Sequence, residues 1–120
     1  MKTILIVEDT DLNIDLLIQL LEDDYNLLIA KDGGQGVNLA LQHKPDLILM
    51  DISLPVMDGY DAARQIRRTL PSVPIIGLSA HAMESHMQKA HESGCDDYLT
   101  KPLDENLLFA ALKKYLETDA

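Results

Sequence analysis

The chain has 120 residues, of which 47% are hydrophobic and 25% charged, a profile typical of one ordinary globular domain that excludes a disordered chain. Its formal net charge of −10 argues against a nucleic-acid partner, because the phosphate backbone would be repelled rather than neutralised. No apolar run approaches the roughly 18 residues of a membrane span, and the first residues lack a signal-peptide pattern. We therefore expect one domain over residues 1–120, located in the cytoplasm, with protein or cation partners and no membrane contact.

Short apolar runs that end in polar side chains predict the strands. Leu47 to Met50 is a run of four apolar residues, typical of a strand buried on both faces, and Asp51 follows it directly. Thr3 to Val7 has the same form and ends in Glu8-Asp9. The remaining strands are predicted at Asn26 to Ala30, Pro74 to Leu78 and Asp97 to Thr100.

Helical patterns fill the intervals between these strands. The helices are predicted at Asp11 to about Glu22, Gly33 to Gln42, Asp58 or Gly59 to about Arg68, Met83 to Glu92, and about Asp104 to Leu116. Gly94 is a plausible cap of the fourth helix, and Cys95 beside it is expected to be a small buried residue rather than a reactive thiol. Alternating strands and helices with short connections predict a parallel sheet covered by helices on both faces, which is a doubly wound α/β fold.

The first helix carries more apolar residues than one buried face needs. At about 100° per residue they cover an arc of roughly 240°. Ile14 and Ile18 lie at one edge of this arc, so they are candidates for an exposed contact patch, with packing beneath a loop as an equal alternative. The core side of the helix is expected to consist of Leu16, Leu17, Leu20 and Leu21.

Polar residues at the strand ends form the candidate site. The carboxyl ends of parallel strands meet at one sheet edge, where open α/β folds bind ligands. The residues that the sequence places there are Glu8, Asp9, Asp51, Ser79 and Lys101. Three carboxylates repel one another and need a cation, and hard oxygen ligands suit Mg²⁺. An ionised Asp51 can attack a phosphoryl donor while Mg²⁺, Lys101 and Ser79 bind the phosphoryl oxygens, although Asp51 taken alone could equally be a cap or turn residue.

This arrangement resembles the receiver domain of two-component response regulators, the CheY-like family, over essentially the whole chain. The elements that carry the resemblance are Glu8-Asp9, Asp51, Ser79 and Lys101-Pro102, each at its own strand end. The resemblance implies a five-stranded parallel sheet with the flavodoxin-like order 2-1-3-4-5. The chain has no recognisable output domain, so we expect either a stand-alone, single-domain regulator or a part of a longer protein, and a monomer.

The resemblance also implies a metal site and an acceptor. Asp51 would be the phosphoacceptor. Asp9, Asp51 and the backbone carbonyl of Ser53 would bind Mg²⁺, with Glu8 alongside. Ser53 is also one of two positions, with His81, that tune the lifetime of the phosphoryl group within the family.

A switch is implied by the same resemblance. Ser79 would be the switch hydroxyl and Lys101 the phosphate-pairing lysine, with Lys101-Pro102 as a cis peptide. Tyr98 occupies the position of the switch aromatic, which turns inward when Ser79 is drawn to the phosphoryl group. The surface of the fourth helix, fifth strand and fifth helix would then be repacked for a downstream effector protein.

The phosphoryl donor is expected to be a histidine kinase or a histidine phosphotransfer protein. Ile14 and Ile18 lie where the first helix of the family meets this donor. A competing hypothesis is a Mg²⁺-dependent phosphohydrolase with an Asp nucleophile. Such enzymes of the haloacid-dehalogenase type carry a second Asp two residues further on, where this chain has Ser53.

Two further alternatives are less consistent with the sequence. A degenerate receiver that works as a constitutive binding surface is disfavoured, because every expected acidic, hydroxyl and lysine position is filled. A flavin or nucleotide binder of the same fold is disfavoured because Glu8-Asp9-Thr10 replaces the phosphate-binding loop after the first strand.

Overall fold

Strands and helices alternate along the chain as the sequence predicts. The computed structural model describes residues 1–52, 54, 57–80 and 84–116, without the side chains of residues 84–86. The strands are β1 (Thr3–Val7), β2 (Asn26–Ala30), β3 (Leu47–Asp51), β4 (Ile75–Ser79) and β5 (Asp97–Thr100). The helices are α1 (Asp11–Leu21), α2 (Gly33–His43), α3 (Gly59–Thr69), α4 (Glu84–Glu92) and α5 (Glu105–Leu116). The predicted start of α4 at Met83 lies outside the described residues.

The strands form one parallel sheet in the order β2-β1-β3-β4-β5, which confirms the predicted topology. The register aligns the ends of neighbouring strands: Val7 pairs with Met50, Asp51 with Leu78, and Ser79 with Thr100. We call the side at which all strands end the carboxyl edge and the opposite side the amino edge. The polar residues that end the strands are thereby collected at the carboxyl edge.

Alternate residues of each strand pack on opposite faces of the sheet. On one face, Leu5, Ile48 and Met50 pack against α2, α3 and α4, and we call this the α2–α4 face. On the other, Ile6 and Leu49 pack against α1 and α5, and we call this the α1/α5 face. Because both faces are covered, β3 is buried along its whole length, as its apolar run predicted.

Helix α1 packs on the sheet through Leu17, Leu20 and Leu21, as predicted, but two other residues differ from the prediction. Ile14 is only 6% exposed, so the expectation that it belongs to an exposed patch was wrong, and Ile18 is half-buried. Leu16, expected in the core, is 41% exposed, and Leu12 is 77% exposed. Ile14 lies three positions before Leu17 on the same side of the helix, and Leu17 and Leu21 of this side pack on the sheet. An apolar arc wider than one face did not show which of its sides would be buried.

Helix α3 begins in direct contact with the end of β3. A Cβ on Gly59 would overlap the backbone carbonyl oxygen of Asp51 and lie 2.6 Å from the Cα of Ile52. The Gly59 amide donates a hydrogen bond to the Ile52 carbonyl at 2.9 Å. The Asp58 side chain caps the helix by accepting from the Asp61 amide at 2.9 Å. Only glycine allows the helix to start this close to the strand.

Arg67, near the end of α3, closes the amino edge of the sheet. Its guanidinium donates to the carbonyl oxygens of Leu70 (3.3 Å), Pro71 (2.9 Å), Val73 (2.6 Å) and Gly94 (2.7 Å) and to Asp96 Oδ2 (2.8 Å). Asp96 Oδ2 also accepts from the Ile75 amide at 2.9 Å. One side chain thus joins the connections that lead into β4 and β5, and we call this set of contacts the Arg67 clasp.

The helices of the described ranges are short relative to a bilayer. The longest, α5, has 12 residues. None of the described helices combines the length and the hydropathy that a membrane span requires.

Candidate functional site

Three carboxylates meet at the carboxyl edge of the sheet. Glu8 and Asp9 follow β1, and Asp51 is the last residue of β3. One oxygen of each lies within 4.8 Å of the others. Glu8 is fully buried and Asp51 is 4% exposed, whereas Asp9 is exposed. The structure therefore brings together the acidic residues that the strand ends predicted, with one carboxylate open to solvent.

Lys101 lies between two of these carboxylates. Its Nζ is 2.8 Å from Glu8 Oε1 and 3.2 Å from Asp51 Oδ2, and its backbone amide donates to the Ser79 carbonyl at 2.8 Å. Burial lowers the pKa of Lys101, but the hydrogen bond to Glu8 and the charges of Asp51 and Glu8 together outweigh it, so its pKa lies above the ordinary value. The lysine therefore stays charged. Two of the three carboxylates contact it, so the cluster has a formal excess of two negative charges.

Glu8 holds its position through both of its oxygens. Besides the Lys101 contact of Oε1, its Oε2 accepts hydrogen bonds from the backbone amides of Asp9 at 3.0 Å and Thr10 at 3.2 Å. The carboxylate thus fixes Lys101 and the entry into α1 at the same time. The sequence predicts Glu8 beside the metal but not its pairing with Lys101, a residue from the opposite end of the chain.

Ser79 and Tyr98 lie in the neighbouring strands β4 and β5. Ser79 is 2% exposed, and Tyr98 is half-buried against the core of the α2–α4 face. Asp51 and Ser79 are the last residues of the neighbouring strands β3 and β4, so the candidate acceptor and the hydroxyl lie near each other along the carboxyl edge. Tyr98 of β5 is paired with Gly77 of β4, and its ring packs in the core of the α2–α4 face.

Other predicted site features have mixed outcomes. The Lys101-Pro102 peptide is cis, as the resemblance implies. The predicted Ser53 carbonyl ligand and His81 lie outside the described residues. Cys95 is 3% exposed, and burial raises the pKa of its thiol to about 12, which confirms a buried and unreactive cysteine.

An apolar surface adjoins the charged site on the side of α1. Leu12 and Leu16 are exposed there, in place of the predicted Ile14. A cavity of about 100 Å³ lies between this helix and the connection from β5 to α5, and it is lined by Glu8, Asn13, Leu16, Leu17, Lys101, Pro102 and Leu103. The surface is continuous with the site because Lys101 belongs to both.

Comparison with known proteins agrees with this geometry. The sequence profile of the response regulator receiver domain matches residues 4–113. The polar-differentiation response regulator DivK of Brucella anthropi is 34% identical over 118 residues, which cover 96% of each chain. The match favours a signalling role over the phosphohydrolase hypothesis.

Solved structures of similar proteins share the fold over nearly their whole length. The receiver domain of the sensor histidine kinase PA1611 from Pseudomonas aeruginosa, determined with a magnesium ion in its active-site cleft, is 36% identical, with a TM-score of 0.90 and 98% of each chain covered. The receiver domain of Saccharomyces cerevisiae Ssk1, from a co-crystal with the histidine phosphotransfer protein Ypd1, is 33% identical, with a TM-score of 0.89, 95% of this chain and 88% of that chain covered. The chain therefore belongs to the response regulator receiver domain family and is a receiver domain of two-component signalling.

Proposed function

We propose that the chain accepts a phosphoryl group on Asp51 from a histidine kinase or a histidine phosphotransfer protein, and acts as a cytoplasmic monomer whose surface is read by an effector protein. The observation that carries this proposal is the position of the Asp51 carboxylate, which is buried, 3.2 Å from the Lys101 ammonium, and within 4.8 Å of the exposed Asp9. Such a site combines a nucleophile with positive charge and with space for a cation.

The donor set fits Mg²⁺. The site offers carboxylate oxygens, an excess of negative charge and one ligand open to solvent, which are the features that this ion requires. Asp9 and Asp51 would bind it directly together with the Ser53 carbonyl, while Glu8, whose oxygens already hold Lys101 and the entry into α1, stays alongside. When bound, the ion supplies positive charge against the phosphoryl oxygens. The magnesium ion in the similar Pseudomonas receiver supports this assignment.

In the proposed transfer Asp51 is the nucleophile and Lys101 keeps its proton. An oxygen of Asp51 donates an electron pair to phosphorus, and the bond from phosphorus to the donor's imidazole nitrogen breaks with its electron pair left on that nitrogen. The donor leaves as neutral imidazole, because its other ring nitrogen already carries a proton. Lys101 remains protonated and exchanges its contact with Asp51 for one with a phosphoryl oxygen, so that charge is neutralised without a proton transfer. Attack by water on phosphorus then breaks the bond to the Asp51 oxygen, releases inorganic phosphate and restores the carboxylate, so the chain catalyses only its own phosphorylation and dephosphorylation.

Phosphorylation would be transmitted by Ser79 and Tyr98. The Ser79 hydroxyl would bind a phosphoryl oxygen and vacate space for the Tyr98 ring, which is half-buried in the unmodified protein. Two exposed apolar side chains lie beside this ring: Met87 of α4, 43% exposed, and Leu107 of α5, 59% exposed. An effector that contacts these side chains would sense the position of Tyr98.

The donor protein would dock on α1 beside Lys101. Leu12 and Leu16 supply exposed apolar area directly next to the acceptor site, with Pro102 and Leu103 across the cavity. Ile18, half-buried on the same helix, remains a candidate contact. The co-crystal of the similar yeast receiver with a histidine phosphotransfer protein supports a donor of this kind.

Incubation with acetyl phosphate and Mg²⁺ tests the proposal. We expect an adduct with the mass of one phosphoryl group, stable in acid and labile in base, that is abolished in Asp51→Asn. Asp58→Asn is the matched control, because asparagine also caps a helix and α3 should begin unchanged. Labelling of Asp51→Asn at the parental level would refute the assignment, and multiple turnover of a generic phosphate ester would instead indicate a phosphohydrolase.

A further inference from the structure

The surface of α4, β5 and α5 extends from one edge of the sheet to the other. Each of the two helices follows a strand that ends at the carboxyl edge, so it begins beside the candidate site and ends at the amino edge. Two grooves flank β5 along the same direction. One, of about 120 Å³, is lined by Met87 of α4 and by Asp97, and the other, of about 350 Å³, by Leu107 and Lys114 of α5.

The end of α4 is held by Arg67 of α3. Nε and Nη2 of the guanidinium donate to the Gly94 carbonyl at 3.2 Å and 2.7 Å. Gly94 has a φ of 109°, and a Cβ on it would lie 3.2 Å from the Cβ of Arg67, so the arginine stem packs where other residues carry a side chain. The next residue, Cys95, is 3% exposed, and its amide donates to the Ala90 carbonyl at 3.0 Å. Hydrogen bonds and packing therefore fix this end of α4 against α3.

The end of α5 is held through Asp96, the carboxylate partner of Arg67. The Tyr115 hydroxyl donates to the Asp96 carbonyl at 3.1 Å and lies 3.4 Å from Oδ2 of Asp97. The Asp96 amide donates to the Ile75 carbonyl at 2.7 Å, and its carboxylate accepts from the Ile75 amide at 2.9 Å and from Arg67 at 2.8 Å. Through this one residue the amino edge joins α3, β4 and α5.

Phosphorylation would act on the opposite ends of the same helices. Asp51 and Ser79 are the last residues of their strands, and the Lys101 amide, in the connection to α5, donates to the Ser79 carbonyl at 2.8 Å. The exposed side chains of Met87 and Leu107 belong to the halves of α4 and α5 that lie toward this edge. A displacement that starts at the candidate site therefore runs toward helix ends that are already bonded to α3 and β4.

We propose that Arg67 and Tyr115 are positioning residues that divide the surface of α4, β5 and α5 into a responsive part and a fixed part. The responsive part lies nearer the candidate site and comprises residues 87–90 and 98–108. The fixed part lies at the amino edge and comprises residues 91–97 and 112–116. An effector contacts the fixed part in both states of the protein and distinguishes the states by the responsive part. This inference rests on the proposed phosphorylation of Asp51, and it concerns how far the structural response extends.

Proton–nitrogen correlation NMR of the backbone amides tests the proposal. Each sample contains Mg²⁺ and is measured before and after addition of acetyl phosphate, and its adduct is quantified by intact mass. In the parent we expect the signals of the responsive part to move with adduct formation and those of the fixed part to move several-fold less. Movements of equal size in both parts would overturn the proposal. Absence of the adduct in the parent would instead overturn the proposed function.

Arg67→Met should extend the response into the end of α4. We expect the adduct level of the parent, with signals of residues 91–97 that now move as much as those of the responsive part. A purely structural role would lower stability without changing which residues respond. Arg68→Met is the matched control, because Arg68 is the exposed neighbour and its loss should leave the parental distribution. The same distribution in Arg67→Met and the parent would overturn the role of Arg67.

Tyr115→Phe keeps the proposal testable if Arg67→Met fails to fold, because it removes a single hydroxyl and keeps the ring. Without the bond to Asp96, the signals of residues 112–116 should move on phosphorylation, whereas the end of α4 should stay as in the parent. A response limited to the same residues as in the parent would show that the Tyr115 hydroxyl does not hold α5, and would overturn its role.

Discussion

At each edge of the sheet a cationic side chain contacts carboxylates, but the balance of charge differs between the two edges. At the amino edge, the Arg67 guanidinium has one carboxylate partner, Asp96 at 2.8 Å, and backbone carbonyls accept its other hydrogen bonds. At the carboxyl edge, Lys101 faces two buried carboxylates, and a third, on Asp9, lies beside them in contact with solvent.

The difference lies in the charge that remains. The Arg67 clasp pairs one positive with one negative group and satisfies both by hydrogen bonds, which makes it a structural contact. The carboxyl edge sets three carboxylates beside one ammonium among the described residues, and such a formal excess of negative charge is typical of a functional site. Variants of each edge should therefore affect different measured quantities.

Lys101→Met should give the largest effect. Without the ammonium, the phosphoryl oxygens and the carboxylates lose their fixed positive partner, and we expect adduct formation from acetyl phosphate to slow by about 10²–10³-fold. The control is Lys31→Met, which removes an exposed lysine paired with Asp11 at 2.7 Å and should leave the rate unchanged. Equal rates in the two variants would contradict the distinction between the edges.

Arg67→Met should change stability instead of chemistry. Removal of the guanidinium leaves Asp96 and several carbonyls without their donor, and we expect the free energy of unfolding in urea to fall by about 3 kcal/mol. Folded molecules should form the Asp51 adduct at the parental rate. Arg68→Met, which alters the neighbouring exposed arginine, should change stability by no more than about 0.5 kcal/mol. A slower adduct rate in Arg67→Met would show that the amino edge also belongs to the site.

Magnesium should stabilise the carboxyl edge. An ion that binds only the folded state at about 100 times its Kd adds about 2.7 kcal/mol to the free energy of unfolding. We expect an increase of this order when Mg²⁺ replaces EDTA, for the parent and for Arg67→Met, and a much smaller one for Asp9→Asn. Asp58→Asn should respond like the parent. The metal assignment is wrong if Asp9→Asn gains as much stability as the parent.

The smallest expected effect is that of Cys95→Ala, at the amino edge, on the pH dependence of stability. Its folded pKa of about 12 exceeds the ordinary value of 9.0, so the folded state favours the neutral thiol. The resulting stability is present below pH 9.0 and is lost as the pH rises toward about 12, because the unfolded chain ionises first. Between pH 8 and pH 10 the parent should lose about 1.4 kcal/mol more than Cys95→Ala. Parallel pH profiles of the two proteins would argue against a buried neutral thiol.

The sequence predicts the carboxyl edge better than the amino edge for a physical reason. Parallel strands must end on the same side, so the position of Asp51 in the chain already implies its neighbours in space. Arg67 bonds mostly to backbone carbonyls, which every residue carries, and one of these belongs to Gly94, in a different connection. No side-chain pattern in the sequence identifies such partners.

The burial of α1 shows a second limit. Its apolar residues cover more than one face, and the choice between Ile14 and Leu16 depends on how the helix is rotated on the sheet. Local periodicity does not determine that rotation when several faces are apolar. The structure resolves it, and the apolar side chains left exposed beside Lys101 became the candidate docking surface.

The close contact of Gly59 with the end of β3 limits where a structural shift caused by phosphorylation of Asp51 can go. The backbone of α3 at Gly59 already lies against the backbone of Asp51 and Ile52, so a shift of the acceptor strand toward this helix would be opposed. We therefore expect α3 to keep its position when Asp51 gains a phosphoryl group. We expect the displacement to pass sideways instead, to Ser79 at the end of β4 and from there to Tyr98 in β5.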